Sequence, residues 1–177
     1  MITVTYGKGF GLTMPEKVKA LQNELLKMPQ ADIITTHTFR PGVYERAITI
    51  PAWVVLTGAE HKTPYRVRVE KGTIAVNTDD GVKVLTAPCE FEANAGMQRA
   101  GRVFDEEVVW VDVYDNPDDC TDLAVLEDRL YVVPECGLAD SRNEEQKAKI
   151  KHQLNTAGDE FFVDNKALIS VNFGATV

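Results

Sequence analysis

The stretch YRVRVEKGTIAVNTDDGVKVLT, residues 65–86, determines the fold class of this chain. Hydrophobic and polar residues alternate through TIAVNT and again through VKVLT, which is the two-residue period of a β-strand with one buried face. Asp79, Asp80 and Gly81 lie between the two runs and supply the positive-φ positions of a tight hairpin. The stretch therefore predicts two antiparallel strands that are neighbours in one sheet.

Further β-rich runs lie on both sides of this hairpin. They are HTFRPGVYERAITI, AWVVLTG, VKVLTAPCEFEA and EEVVWVDVYD, and turn residues interrupt them. No segment between them is long enough for the crossover helix of a parallel sheet, which leaves a sandwich or a barrel. We predict a mainly β protein with a jelly roll over residues 33–132.

Helical patterns precede and follow the β-rich region. Thr13 and Glu16 have the spacing of a capping box, and apolar residues then recur at helical intervals over about residues 14–28. The stretch DDCTDLAVLEDRL predicts a short helix that closes the barrel. Further along, EEQKAKIKHQL predicts a polar helix, and the β-prone end FFVDNKALISVNFGATV predicts a strand.

These patterns divide the chain into three parts. Residues 1–32 form an N-terminal arm and helix, residues 33–132 form the barrel, and residues 133–177 form a C-terminal extension with a helix and a strand. The extension ends in apolar sequence that would be an aggregation-prone edge if it were left free. We therefore expect it to add to a sheet in this chain or in a neighbouring subunit.

Composition excludes several classes of partner. The net charge is -8, from 27 acidic and 19 basic residues, which argues against binding to nucleic-acid phosphates. No apolar run approaches the roughly 20 residues that a membrane span needs, and the N-terminal sequence does not have the pattern of a secretory signal. Cys89, Cys120 and Cys136 are far apart and odd in number, so reduced thiols are expected.

The stretches GAEHKTPYRVRVEKG and ANAGMQRAG resemble the cupin signature. Gly72 matches the glycine of its first turn, and His61 falls near its second histidine. Tyr65 stands where a metal-binding glutamate or histidine is found in such strands. The later turn ends at Gly96, which places Arg99 where the remaining histidine of the signature is expected. The resemblance implies a cupin barrel in which the metal ligands have been replaced.

A longer resemblance covers about residues 29–130. The segments PQADIITTHTFRPGVYERAITIPAWVVLTGAEHKT, NTDDGVKVLTAP and AGMQRAGRVFDEEVVWVDVY are similar to cupin-like proteins encoded by tailed bacteriophages and prophages. This resemblance implies a double-stranded β-helix and a phage origin. It implies no activity.

His61, Tyr65 and Arg99 are the candidate ligand-binding residues, in a vestigial pocket. A cupin metal site needs three or four converging ligands, and arginine has no lone pair to offer at neutral pH. We therefore predict no catalytic residue, no cofactor and no metal, with His61 as the one metal-binding candidate. Arg99 has two interpretations, namely an ion pair with an acid or the binding of a carboxylate, a phosphate or a carbohydrate hydroxyl. His37 can reach the same barrel mouth, whereas His152 is expected to be solvated.

Two functional hypotheses follow. In the first, the chain is a structural protein of a phage head or tail, made in the host cytoplasm and located in the virion. It would bind copies of itself and other virion proteins through its extensions, and would bind neither nucleic acid nor membranes. In the second, it is a small-molecule-binding or metal-dependent cupin enzyme of the sugar isomerase, epimerase or dioxygenase type. The replaced ligands favour the structural, non-catalytic hypothesis.

Overall fold

The computed structural model of the chain describes residues 12–78 and 80–132. This part contains two helices and ten strands. In chain order they are α1 (Met14–Leu25), β1 (Ile34–Arg40), β2 (Gly42–Ile50), β3 (Val55–His61), β4 (Tyr65–Lys71), β5 (Thr73–Thr78), β6 (Gly81–Thr86), β7 (Cys89–Ala93), β8 (Gln98–Val103), β9 (Val108–Asn116), α2 (Leu123–Leu130) and β10 (Tyr131–Val132).

The strands form two five-stranded antiparallel sheets around one main hydrophobic core. Sheet A has the strand order β1-β2-β9-β4-β7, and sheet B has the order β10-β3-β8-β5-β6. The chain crosses repeatedly from one sheet to the other, which is the connectivity of a jelly roll. The prediction of a mainly β jelly roll with an N-terminal helix and a helix after the barrel strands is confirmed.

The hairpin that opened the sequence analysis is β5–β6. Thr78 pairs with Gly81, and the backbone of Gly81 has a positive φ of 110°. Asp79 lies outside the described residues. At the corner between β4 and β5, Gly72 has a φ of 80°, and a Cβ at this position would collide with the carbonyl oxygen of Glu107. Both turns therefore depend on glycine for a steric reason.

The capping box predicted the start of α1 correctly. The carboxylate of Glu16 accepts hydrogen bonds from the backbone N–H and the hydroxyl of Thr13, at 2.7 and 2.8 Å. The helix ends at Leu25 rather than near residue 28, because the following turns use i→i−3 backbone bonds. Its buried face packs on β8 and β3 of sheet B.

The second helix, α2, positions the last strand. The side chain of Asp122 caps it by accepting hydrogen bonds from the backbone N–H groups of Ala124 and Val125, at 2.9 and 3.3 Å. Leu126 and Leu130 are buried in the main core, so the helix is held against the barrel. Because α2 leads directly into β10, this packing brings β10 to the edge of β3.

Several predictions concern residues that the structure does not describe. The polar helix, the terminal strand, Cys136 and His152 all lie outside the described residues. The division of the chain at residues 32 and 132 remains a prediction. Within residues 12–78 and 80–132, both helices are too short to cross a bilayer.

Candidate functional site

His61 lies at the centre of an aromatic cluster inside the barrel. Its Nε2 atom is 2.9 Å from the hydroxyl of Tyr114, and that hydroxyl is 2.9 Å from the hydroxyl of Tyr131. The ring of Tyr65 stacks on the imidazole, with 3.8 Å between ring centroids and 17° between the planes. We call these four residues the His61 cluster.

The strand pairing explains why these side chains meet. His61 ends β3, and Tyr131 is its direct partner on β10. Tyr65 begins β4 after a three-residue turn, while Tyr114 comes from β9, the neighbour of β4 in sheet A. Residues from both sheets thus converge on one imidazole.

The alternation of β9 places polar side chains inside the barrel. In VVWVDVYDN, residues Trp110, Asp112 and Tyr114 share one face because successive strand side chains point to opposite sides. The indole N–H of Trp110 donates to the carboxylate of Asp112 at 2.7 Å. Asp112 is only 6% exposed, so this carboxylate is buried next to the His61 cluster.

Burial keeps His61 neutral. It lowers the pKa of His61 to about 4; the Met97 carbonyl opposes this shift, and the positive charges of Arg99 and Arg46 reinforce it. The other ring nitrogen, Nδ1, makes no hydrogen bond of good geometry to a described residue. At neutral pH the imidazole is therefore an uncharged packing and hydrogen-bonding group.

The tyrosines of the site are also neutral. Burial raises the pKa of Tyr65 well above its ordinary value, Asp112 raises it further, and Arg99 opposes the shift. Burial likewise raises the pKa values of Tyr114 and Tyr131. Their hydroxyls are hydrogen-bond donors and acceptors rather than nucleophiles at neutral pH.

Arg99 faces the same interior from β8. Its guanidinium donates to the carbonyl oxygen of Asn77 at 2.9 Å and lies 5.2 Å from the centroid of the Phe91 ring. Among the described residues Arg99 forms no ion pair, and its Nε atom is buried without a hydrogen-bond partner. No described acid forms an ion pair with Arg99, and an ion pair across an interface stays a prediction.

The structure places the rings of His61 and Tyr65 in contact, and the charge of Arg99 acts on both groups. Whether they bind a ligand remains a prediction. His37 stands on β1 instead, where its Nδ1 atom is 2.8 Å from the hydroxyl of Tyr44. Among the residues in the described ranges, no group of three or more histidine, cysteine, aspartate or glutamate side chains has the arrangement of a metal site.

Sequence reasoning missed three members of the site. Asp112 and Tyr114 could have been found, because a strand that alternates valine with tryptophan, aspartate and tyrosine presents a polar face. The sequence around Tyr131 contains no alternating pattern of this kind, because Tyr131 follows a helix and its strand has only two residues.

No protein-family model matches the chain, and no curated protein matches it. Solved structures do resemble it. One is the Cupin_2 domain of an XRE family transcriptional regulator from Enterobacter cloacae, at 15% identity and a TM-score of 0.43, covering 50% of this chain and 99% of that one. Another is a cupin domain from Bordetella pertussis, at 19% identity and a TM-score of 0.40, covering 50% and 98%.

A third similar structure is an HTH_3 family transcriptional regulator from Vibrio cholerae. It has 14% identity and a TM-score of 0.42, and the match covers 49% of this chain and 52% of the regulator, about half of its length. At these identities the likeness concerns the fold alone. None of the three links the chain to a bacteriophage.

Proposed function

We propose that this chain is a non-catalytic structural protein of a bacteriophage particle, with the cupin-like barrel as its scaffold. The observation that carries the proposal is the filling of the barrel interior. The rings of Tyr65, Tyr114 and Tyr131 contact His61, so aromatic side chains surround the one histidine that the cupin signature marks as a metal-ligand candidate. A histidine engaged in this way contributes to packing and to a buried hydrogen-bond chain.

The phage setting rests on the sequence resemblance over about residues 29–130. In this proposal the partners are other copies of the chain and further virion proteins, and the protein enters the virion after synthesis in the host cytoplasm. The net charge of -8 supports protein partners over the packaged nucleic acid, because like charges repel. The role is that of an accessory, adaptor or decoration protein of the head or tail.

Mass spectrometry of purified phage particles tests the proposal. The chain is expected in stoichiometric amounts, comparable with known structural proteins of the same particle. Particles assembled with the His61→Gln variant should contain the protein at the same level, because the imidazole has no chemical task in this proposal. Absence of the wild-type chain from intact particles would contradict it.

The enzymatic alternative makes a different prediction for the isolated protein. A metal-dependent cupin enzyme would carry about one ion per chain, held through His61. Metal analysis of untagged protein measures this directly, with His61→Gln as the control. A stoichiometric ion that is lost in the variant would favour the enzyme and overturn the structural proposal.

A further inference from the structure

The edge strand β6 exposes two valines on one face. Val82 and Val84 are 41% and 60% exposed, and they point to the same side because they are two positions apart. Leu85 points to the opposite side and packs against the main core, so the two valines lie on the outer face of sheet B. No described strand pairs with the far edge of β6. Exposed apolar side chains on such an edge favour pairing with a further strand.

The hydrogen bonds of β6 leave backbone groups available at the same two valines. The N–H of Ala87 donates to the carbonyl oxygen of Gly72 at 3.0 Å, which continues the register of β5 and β6. Backbone bonds alternate along an antiparallel strand, so Lys83 and Leu85 bond to β5. The valines between and before them direct their N–H and C=O groups away from β5. These groups can pair with one more strand.

The other edge strands of the two described sheets are poorer templates for pairing. β10 has only two residues, and β7 exposes the acidic side chains of Glu90 and Glu92. On β1 the two exposed large hydrophobic residues, Ile34 and Phe39, lie on opposite faces because they are an odd number of positions apart. Among the described edges, β6 therefore combines available backbone groups with a continuous apolar face.

We propose that residues 169–173 of the same chain add to β6 as a sixth strand of sheet B. This segment, ISVNF, lies outside the described residues, and its apolar residues alternate with polar ones as in a strand with one apolar face. The apolar face lies beside the two valines of β6, where cross-strand apolar pairs stabilise the sheet. An edge lysine often opposes such pairing, but the ammonium group of Lys83 is already paired with Asp80 at 3.1 Å.

The segment is long enough in sequence to reach β6 within one chain. The described part ends at Val132 on β10, at the opposite edge of sheet B, four strand spacings or roughly 20 Å from β6. Residues 133–168 could span more than about 100 Å if fully extended. A tethered segment has a high effective concentration at its site, which favours its own chain over a neighbouring copy. The pairing does not depend on the proposed virion role.

Hydrogen exchange of single amides in the full-length protein, followed by NMR, tests the proposal. The amides of Val82 and Val84 should exchange at least about tenfold more slowly in the wild type than in Val171→Asp, because the added charge disrupts the apolar face of the sixth strand. The amides of Lys83 and Leu85 are the internal control. Their exchange should stay the same, because β5 protects them in both proteins, and it also verifies that the hairpin is folded.

Two further variants make the comparison specific. Asn172→Asp introduces the same charge on the polar face of the segment, and it should leave the exchange of the valine amides unchanged. Val84→Asp introduces the charge on β6 itself, at a position that is 60% exposed, and should accelerate exchange at Val82. This second variant covers the case in which Val171→Asp does not fold.

A mixed sample identifies the chain that supplies the strand. Isotope-labelled wild type is equilibrated with an excess of unlabelled Val171→Asp, and the valine amides of the labelled chain should stay protected. Loss of protection in the mixture would assign the strand to a neighbouring copy and overturn the proposal. Fast exchange of these amides in the wild type, or an equal acceleration in Asn172→Asp, would overturn it as well.

Discussion

A buried acid on the outer face of sheet A and one in the interior of the barrel have different hydrogen-bonding partners. On the outer face, the carboxylate of Glu45 contacts the guanidinium groups of Arg40 and Arg68, at 2.6 and 3.3 Å. In the interior, the carboxylate of Asp112 accepts a hydrogen bond from the neutral indole of Trp110 at 2.7 Å, and the positive charge of Arg46, its cross-strand partner, opposes the rise in pKa that burial causes. The two acids come from β2 and β9, which are adjacent strands of one sheet.

The difference shows where charge contributes to stability in this barrel. Compensated charges on the outer face can be hydrated as well as paired, so their arrangement costs little and holds neighbouring strands together. The interior instead keeps its histidine and tyrosines neutral through burial. Ring packing and hydrogen bonds between neutral groups stabilise this interior, in which Arg99 forms no ion pair with a described residue.

The largest expected loss of stability follows substitution of Tyr114, which contacts the other three residues of the His61 cluster. Tyr114 is 2% exposed and contacts His61, Tyr65 and Tyr131. Tyr114→Ala should lower the free energy of unfolding by about 3–5 kcal/mol, because it removes a large buried ring and leaves a cavity. Tyr114→Phe, which keeps the ring, should cost only about 1–2 kcal/mol. Urea unfolding measures both, and equal losses would show that the hydroxyl rather than the ring stabilises the interior.

Acid should destabilise the interior through His61. Its pKa is about 4 in the folded state and near 6.5 in the unfolded chain, so the unfolded state binds the extra proton between these values. The contribution of His61 is complete above pH 6.5 and falls by about 3 kcal/mol as the pH drops to about 4. Asp112, whose pKa is raised, has the opposite pH dependence.

The test of His61 therefore measures the difference in unfolding free energy between the wild type and a variant without the imidazole. Unfolding free energies of wild type and His61→Gln are compared across this pH range, which cancels the shared contribution of Asp112. The gap between the two proteins should narrow as the pH falls. A constant gap would mean that the imidazole is not kept neutral by burial.

The outer-face pairing should have a smaller effect. Glu45→Gln leaves Arg40 and Arg68 without their carboxylate, and we expect a loss of roughly 1–2 kcal/mol in the free energy of unfolding. The control is Arg66→Gln, because Arg66 and Glu90 form a more exposed pair at 3.2 Å and should contribute no more than about 0.5 kcal/mol. If both variants lose the same amount, burial of Glu45 does not strengthen its ion pairs.

The smallest expected loss of stability is that of Arg99→Gln, which is compared with the loss for an arginine on the outer face of sheet A. Arg99→Gln should lower the free energy of unfolding by about 0.5–1 kcal/mol, because it removes the hydrogen bond to Asn77 and the contact with Phe91 but no ion pair. Arg68→Gln should cost about 1 kcal/mol, since it breaks contacts with Glu45 and Glu70. Chemical denaturation of both variants makes the comparison. A large loss for Arg99→Gln would reveal a structural charge interaction in the interior.

The sequence predicted the fold better than the membership of the site. The hairpin at Gly81, the start of α1 at its capping box and the helix from Leu123 to Leu130 all follow from local patterns, and the structure confirms them. The split of HTFRPGVYERAITI into β1 and β2 at Gly42 was not resolved, although its φ of 74° fits a turn glycine. Local stereochemistry is encoded within a few residues, which is why these elements can be predicted.

Which residues form the site depends on contacts between positions that are far apart in the sequence. The resemblance to the cupin signature placed His61, Tyr65 and Arg99 together, but it did not predict Tyr131 or the role of Asp112. His61 and Tyr114 are 53 positions apart in the chain, so their contact depends on how β3 and β9 are placed in different sheets. A strand pattern tells which face a side chain occupies, and it does not tell which side chain faces it across the barrel.

By itself, the sequence determined the strand alternation, the glycine turns, the helix caps and the acidic surface charge of this protein. These properties depend on backbone stereochemistry and composition, which act locally. Only the tertiary structure decided that His61 is buried and neutral, that Tyr114 joins it to Tyr131, and that Arg99 forms no ion pair with a described residue. Burial and pairing are properties of neighbours, and the two sheets bring those neighbours together from distant parts of the chain.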